Sequence, residues 1–163
     1  MKKFKLTSEF IVDISGVKLF RIKALIEFGN VKAGDLGGYI EKEENLSHMG
    51  NAWVSGNAQV SGNAQVSGDA RVSGNARVSG DAQVFGDARV SGDKDYAYAH
   101  GFGSCNRTTT FFRLKDGDVG VRCGCFYGTL AQFRDNVCET HGETKKAQEY
   151  LMLADLMDFR FKN

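Results

Sequence analysis

The chain of 163 residues contains no proline, a single tryptophan and only three histidines. Without proline, reversals of chain direction fall to the 20 glycines and to Asn and Asp. No stretch approaches 18 consecutive apolar residues, so nothing reads as a membrane-spanning helix. An excess of one charge is missing too: 21 Lys and Arg face 20 Asp and Glu, a formal net charge of +1. That balance gives no global field to draw in nucleic acid or a membrane surface. The opening MKKFKLTSEFIVD has neither the long apolar run nor the small-residue cleavage site of a secretory signal. Together with four cysteines, this points to reduced thiols and a cytoplasmic setting.

What is present is a repeat. Residues 51–92 read NAWVSG, NAQVSG, NAQVSG, DARVSG, NARVSG, DAQVFG and DARVSG. A glycine in every hexad costs a helix about 1 kcal/mol each time. A period of six instead fits a short strand and a corner. Ala and Val, two apart, point the same way from a strand. The pairs from Ala52 and Val54 to Ala88 and Val90 therefore predict one inward face. The Gly-Asn or Gly-Asp step turns the corner, because glycine accepts positive φ freely. No hexad can bury its apolar face alone, so stacking of successive turns is required.

The pattern V-S-G-N/D-A-Q/R resembles the hexapeptide-repeat family, the left-handed parallel β-helices. The resemblance implies three hexads per coil, so that residues 18 apart stack. It also implies a homotrimer. The lead-in VKAGDLGGYIEKEENLSHMGNAWVSGNA and the tail VRCGCFYGTLAQFRDNVCETHG resemble a phage and bacterial subgroup labelled putative transferases or polymer-forming proteins. Ile40 and Leu46 are six apart, which starts the coils near Gly38. Leu46 and Val54 are eight apart, which places two extra residues around His48.

The fold expected is mainly β: a left-handed parallel β-helix with a β-rich N-terminal lead-in and a C-terminal ββαα cap. Its parts are residues 1–37, 38–93 and 94–163. The lead-in EFIVDISGVKLFRIKAL predicts two strands around Ser15-Gly16. RTTTFFRL, KDGD and VGVRCGCF predict a hairpin. Thr129 with Gln132 forms a capping box for a first helix, and Gly142 ends it. A second helix from about Thr144 to Phe159 carries Ala147, Tyr150, Leu151, Ala154 and Met157 on one face.

An 18-residue register sets up outward columns: Trp53, Arg71 and Arg89; Gln59 and Arg77; Gln65 and Gln83. Trp53 and Arg71 could stack as cation and ring. Arg71 beside Arg89 calls for an anion, or for Asp69 and Asp87. The column reads as a ligand strip, a solvated face or a contact between subunits. Phe85 replaces the serine of the other complete hexads and marks a local contact. A break in symmetry is where a unique pocket can form, so Phe85, Arg89, Tyr96, Tyr98 and His100 are the expected ligand site. Cys123, Cys125, Cys138 and His141 could supply four zinc ligands or be a packed core.

The hexapeptide acyltransferases that the chain resembles use a histidine base and acyl-CoA, for which His48 or His100 would serve. The prism is short and no loop interrupts the hexads, which weighs against catalysis. The favoured reading is a non-catalytic binding protein in a phage-like setting. It would sequester a small nucleotide-type signal or block a host defence protein. Acyl transfer and a structural or assembly role are the alternatives. No cofactor, membrane partner or direct nucleic-acid partner is expected.

Overall fold

A computed structural model describes residues 2–103 and 107–162. One of the four thiols, Cys105, lies outside the described residues. The chain opens with β1 (Phe4–Val12), β2 (Lys18–Ala24) and β3 (Leu36–Ile40). β1 and β2 pair antiparallel about the expected turn, with Val12 opposite Lys18. β3 pairs antiparallel with β2 on one side and parallel with the repeats on the other, at Tyr39–Gln59 and Ile40–Val60.

Each hexad contributes a two-residue strand: β4 (Trp53–Val54), β5 (Gln59–Val60), β6 (Gln65–Val66), β7 (Arg71–Val72), β8 (Arg77–Val78), β9 (Gln83–Val84) and β10 (Arg89–Val90). They form three parallel stacks, β3-β5-β8, β4-β7-β10 and β6-β9. Successive hexads visit the stacks in turn, so Val54 lies beside Val72 and Val72 beside Val90. The alanines and valines of all seven hexads are buried in a single core. At each corner a glycine has positive φ, 63° at Gly56 and 67° at Gly80, where a Cβ would be strained.

The spacing is 20 rather than 18 in the first turn: Ile40 lies beside Val60 and Leu46 beside Val66. The two extra residues fall between Leu46 and Val54. They hold His48, whose ring stacks on Phe4 at 4.2 Å and whose Nδ1 accepts the Lys3 N–H at 3.1 Å. The insertion thus seats the start of β1 against the first turn.

After the hexads come β11 (Tyr96–Phe102), β12 (Arg107–Arg113), β13 (Val119–Cys123) and β14 (Phe126–Thr129), then α1 (Leu130–His141) and α2 (Lys145–Phe161). The expected ββαα unit is corrected to four strands and two helices. β12 and β13 are the expected hairpin; β11 and β14 flank it. β14 is only four residues long, and β11, though seven long, does not alternate between buried and exposed positions, so periodicity alone does not reveal them. The capping box Thr129–Gln132 and the Gly142 cap form as expected, and Thr144 caps α2.

β12 joins the two cores. Its side chains alternate, so Phe112 enters the core of the coils while Phe111 packs beneath the helices. Side chains of the cap also take over the hydrogen bonds a further coil would make. Asp93 accepts from Arg77 N at 2.7 Å, Thr110 Oγ1 from Gln83 N at 2.9 Å, and the Tyr127 hydroxyl from Asp87 N at 3.0 Å. At the other end, Lys3 Nζ donates to Gly50 O at 3.3 Å and Ala52 O at 2.7 Å. Asn45 Nδ2 does the same for Gly62 O and Ala64 O.

Candidate functional site

The first turn of the chain after the hexads, Asp93 to Tyr98, lies against stack β3-β5-β8. There it borders a cleft of about 480 Å³ with Arg77, Ser79 and, from the last turn of α2, Arg160. The Tyr96 hydroxyl donates to Arg77 O at 2.8 Å and accepts from Ser79 N at 3.3 Å. Burial is the main reason its pKa is raised, with the Ser79 hydrogen bonds opposing. Tyr96 therefore stays a neutral phenol that fixes the seam. Arg160 Nη2 donates to Tyr96 O at 3.2 Å. Neither Arg77 nor Arg160 has a carboxylate within ion-pair distance among the described residues. The one acid at the cleft, Asp93, already accepts the Arg77 N–H. Tyr98 is 40% exposed, and the hydroxyl end of its ring lies against the Gly80 corner.

Two residues of the expected pocket, Tyr96 and Tyr98, line this cleft. Phe85, Arg89 and His100 do not. Phe85 sits at another corner, edge-on to Tyr127 at 5.0 Å with Arg122 over its ring at 4.2 Å. Arg89 donates to the carbonyls of Asp69 and Ala88. His100 is exposed on β11, with Nδ1 2.8 Å from the Thr108 hydroxyl. The sequence did not point to Arg77 or Arg160 as neighbours at this cleft. Arg77 was legible as a column residue; Arg160 carried no signal, since α2 folds back onto β11 only in three dimensions.

Trp53 corrects a further expectation. Its register with Arg71 and Arg89 is as predicted, but the indole is 4% exposed and lies edge-on to Phe28 at 5.3 Å. The loop before β3 covers it, so it is core and no platform for a ligand. Arg71 lies close to Gly29 of the same loop. Burial first, then the charge of Arg89, hold its pKa below the ordinary value, with Asp69 opposing. The Asp87 carboxylate faces Lys115 at 3.7 Å instead.

The four zinc candidates are divided. Cys123, Cys125 and His141 border one cleft in the cap, and Cys138 does not. Among the described residues no group of three His, Cys, Asp or Glu is arranged to hold a metal ion. Cys123 is buried, and its sulfur accepts from Thr109 Oγ1 at 3.3 Å.

His48, the candidate base, borders a shallow hollow with Glu43, Ser47 and Gln65. Because Nδ1 accepts a backbone N–H, the neutral ring carries its proton on Nε2. Nε2 is buried and 3.4 Å from Glu43 Oε1. Lys2, bonded to that carboxylate at 3.0 Å, is the main cause that holds Glu43 below the usual carboxylate range. A base needs a free lone pair toward its substrate, and this ring presents none.

No helix among the described residues is long and apolar enough to cross a membrane. No curated protein matches the chain. One family model, described as the YdcK beta solenoid repeat, matches residues 58–74, 64–80, 70–83 and 82–93. Each segment begins on the alanine of a hexad, in the register of the three stacks. Over residues 58–93, the chain is thus similar to the YdcK beta solenoid repeat.

Proposed function

We propose that the protein is a non-catalytic binding protein that sequesters a small nucleotide-type anion in the cleft between the last coil and the cap. The observation that carries this reading is that Arg77, Arg160 and the part-exposed Tyr98 line one cleft. Two guanidinium groups suit a phosphate, and an aromatic face suits a base. A cleft of about 480 Å³ is within the usual size range of small-molecule sites. Charge-assisted hydrogen bonds of about 1.5–3 kcal/mol each, with stacking of about 1–3 kcal/mol, are enough for micromolar binding after ordering costs. The coils serve as scaffold: a left-handed, three-sided β-helix within residues 38–93, between a lead-in of 1–37 and a cap of 94–163, assembled as a cytoplasmic homotrimer.

The test is calorimetry with mono-, di- and cyclic nucleotides. Wild type binds one of them with micromolar affinity, and Arg160→Ala weakens it at least tenfold, whereas Arg89→Ala leaves it unchanged. If Arg89→Ala removes binding and Arg160→Ala does not, the site is misplaced. If no nucleotide binds, the reading gives way to a protein partner such as a host defence protein. One observation favours that second reading: Met152, Leu156 and Phe159 form an apolar stripe on α2, and Phe159 is 79% exposed.

A further inference from the structure

α2 buries Ala147, Tyr150, Ala154, Met157 and Phe161 in the cap and turns its other side out. A solvated helix face is polar, and this one is not. Met152 is 71% exposed, Leu156 55% and Phe159 79%. Steps of four and three put them on one stripe. Beside the stripe, Phe102, Met152, Leu153 and Leu156 line an apolar groove of about 430 Å³. Phe102 ends β11, the edge strand of its sheet. Two charges flank the stripe. Glu149 and Arg160 are 11 residues apart, close to three turns of helix, so they share one edge of α2. Both reach the β11 segment, at opposite ends: Glu149 Oε1 accepts from Gly103 N at 2.8 Å, and Arg160 Nη2 donates to Tyr96 O at 3.2 Å. Neither has an oppositely charged side chain within ion-pair distance among the described residues.

We propose that a second copy of this chain covers the stripe, with its α2 packed antiparallel on this one. An edge that carries an acid at one end and a base at the other is complementary to itself run backwards. A two-fold axis sets Glu149 of each copy opposite Arg160 of the other, so two unpaired charges become two ion pairs. The same register sets Leu153 opposite Leu156. It also brings Phe159 level with Tyr150 of the other copy, beside the groove at Phe102, Met152 and Leu153. Such a contact uses one patch on both copies and closes on two. A different protein would not call for this spacing of charges. The contact lies on the cap and not on the coils, and it does not rest on the nucleotide reading.

The experiment is sedimentation equilibrium of the full chain at about 100 µM, well above a micromolar dissociation constant. Leu156→Glu, at an exposed position, halves the mass of the wild-type assembly, with folding checked by its melting temperature. The halving is read equally from two chains to one or from six to three, so it does not depend on the homotrimer. Glu149→Arg sets two cations against each other and also halves the mass. Glu149→Arg combined with Arg160→Glu restores it, which mere loss of the Gly103 contact would not allow. Asp158→Arg, exposed and off the stripe, leaves the mass unchanged. Nucleotide calorimetry on Leu156→Glu separates the two readings, since the seam can fail to bind while the halving stands. A wild-type mass that Leu156→Glu does not change overturns the proposal and leaves the stripe to a different protein. A double variant that stays at half mass overturns the antiparallel pairing.

Discussion

The coils and their two ends solve the same problem by opposite means. Within the hexads strand residues stack on residues 18 away, and the inward pair of every hexad is an alanine and a valine, both buried. One rule serves seven hexads. At the ends the rule has no next coil to act on. There Lys3 and Asn45 close one end and Asp93, Thr110 and Tyr127 close the other, by side-chain contacts outside the repeat. An open coil end is a sheet edge that recruits other chains. Repetition therefore gives stability cheaply in sequence, while closure and any unique pocket need residues that break the pattern.

This contrast can be tested by substitutions of decreasing effect. The largest belongs to the coils. Val72 is fully buried between Val54 and Val90, so Val72→Asp puts a carboxylate with no partner into the core. The expected result is loss of soluble protein, read by expression and circular dichroism; a well-folded variant would remove the inward register. Next is the plug at the cap. Phe112→Ala opens a cavity where the cap meets the coils, and a loss of about 3–5 kcal/mol is expected in urea unfolding. Self-association should rise as the coil end is uncovered, which sedimentation would detect.

The smallest effect is at the first coil. Lys3→Met leaves the Gly50 and Ala52 carbonyls without their side-chain donor, for about 1–3 kcal/mol. Burial, then the charge of Arg71, lower the Lys3 pKa to about 8, with Asp69 opposing. The unfolded chain titrates near 10.4. Between these values the unfolded state binds more protons, so this group makes the folded state more stable as pH rises from 8 to about 10. Urea midpoints at pH 7 and pH 9.5 should show wild type gaining on Lys3→Met at the higher pH. Equal midpoint differences at the two pH values would mean that the amine is not desolvated.

The hexads were legible because their information is local and repeated. Ala and Val two apart and glycine at each corner follow from strand geometry and a count, and the offset of 18 from the resemblance to the hexapeptide repeats. The eight-residue step from Leu46 to Val54 located the insertion, and Thr129, Gln132 and Gly142 marked both ends of α1 for the same local reason. Register alone put Trp53 in the same column as Arg71 and Arg89. Whether that column faced water was another matter.

By itself, then, the sequence determined the six-residue repeat, the inward face, the place of the insertion and the ends of α1, all of which depend on neighbours within one turn. Only the tertiary structure decided that Phe28 covers Trp53, that Lys3 enters the first coil, and that Tyr96 and Tyr98 meet Arg160 while Phe85 and Arg89 turn to other corners. Those outcomes rest on single contacts between residues far apart in the chain. Such a contact leaves no periodic trace, because it is made once and its partner is chosen by how the segments pack.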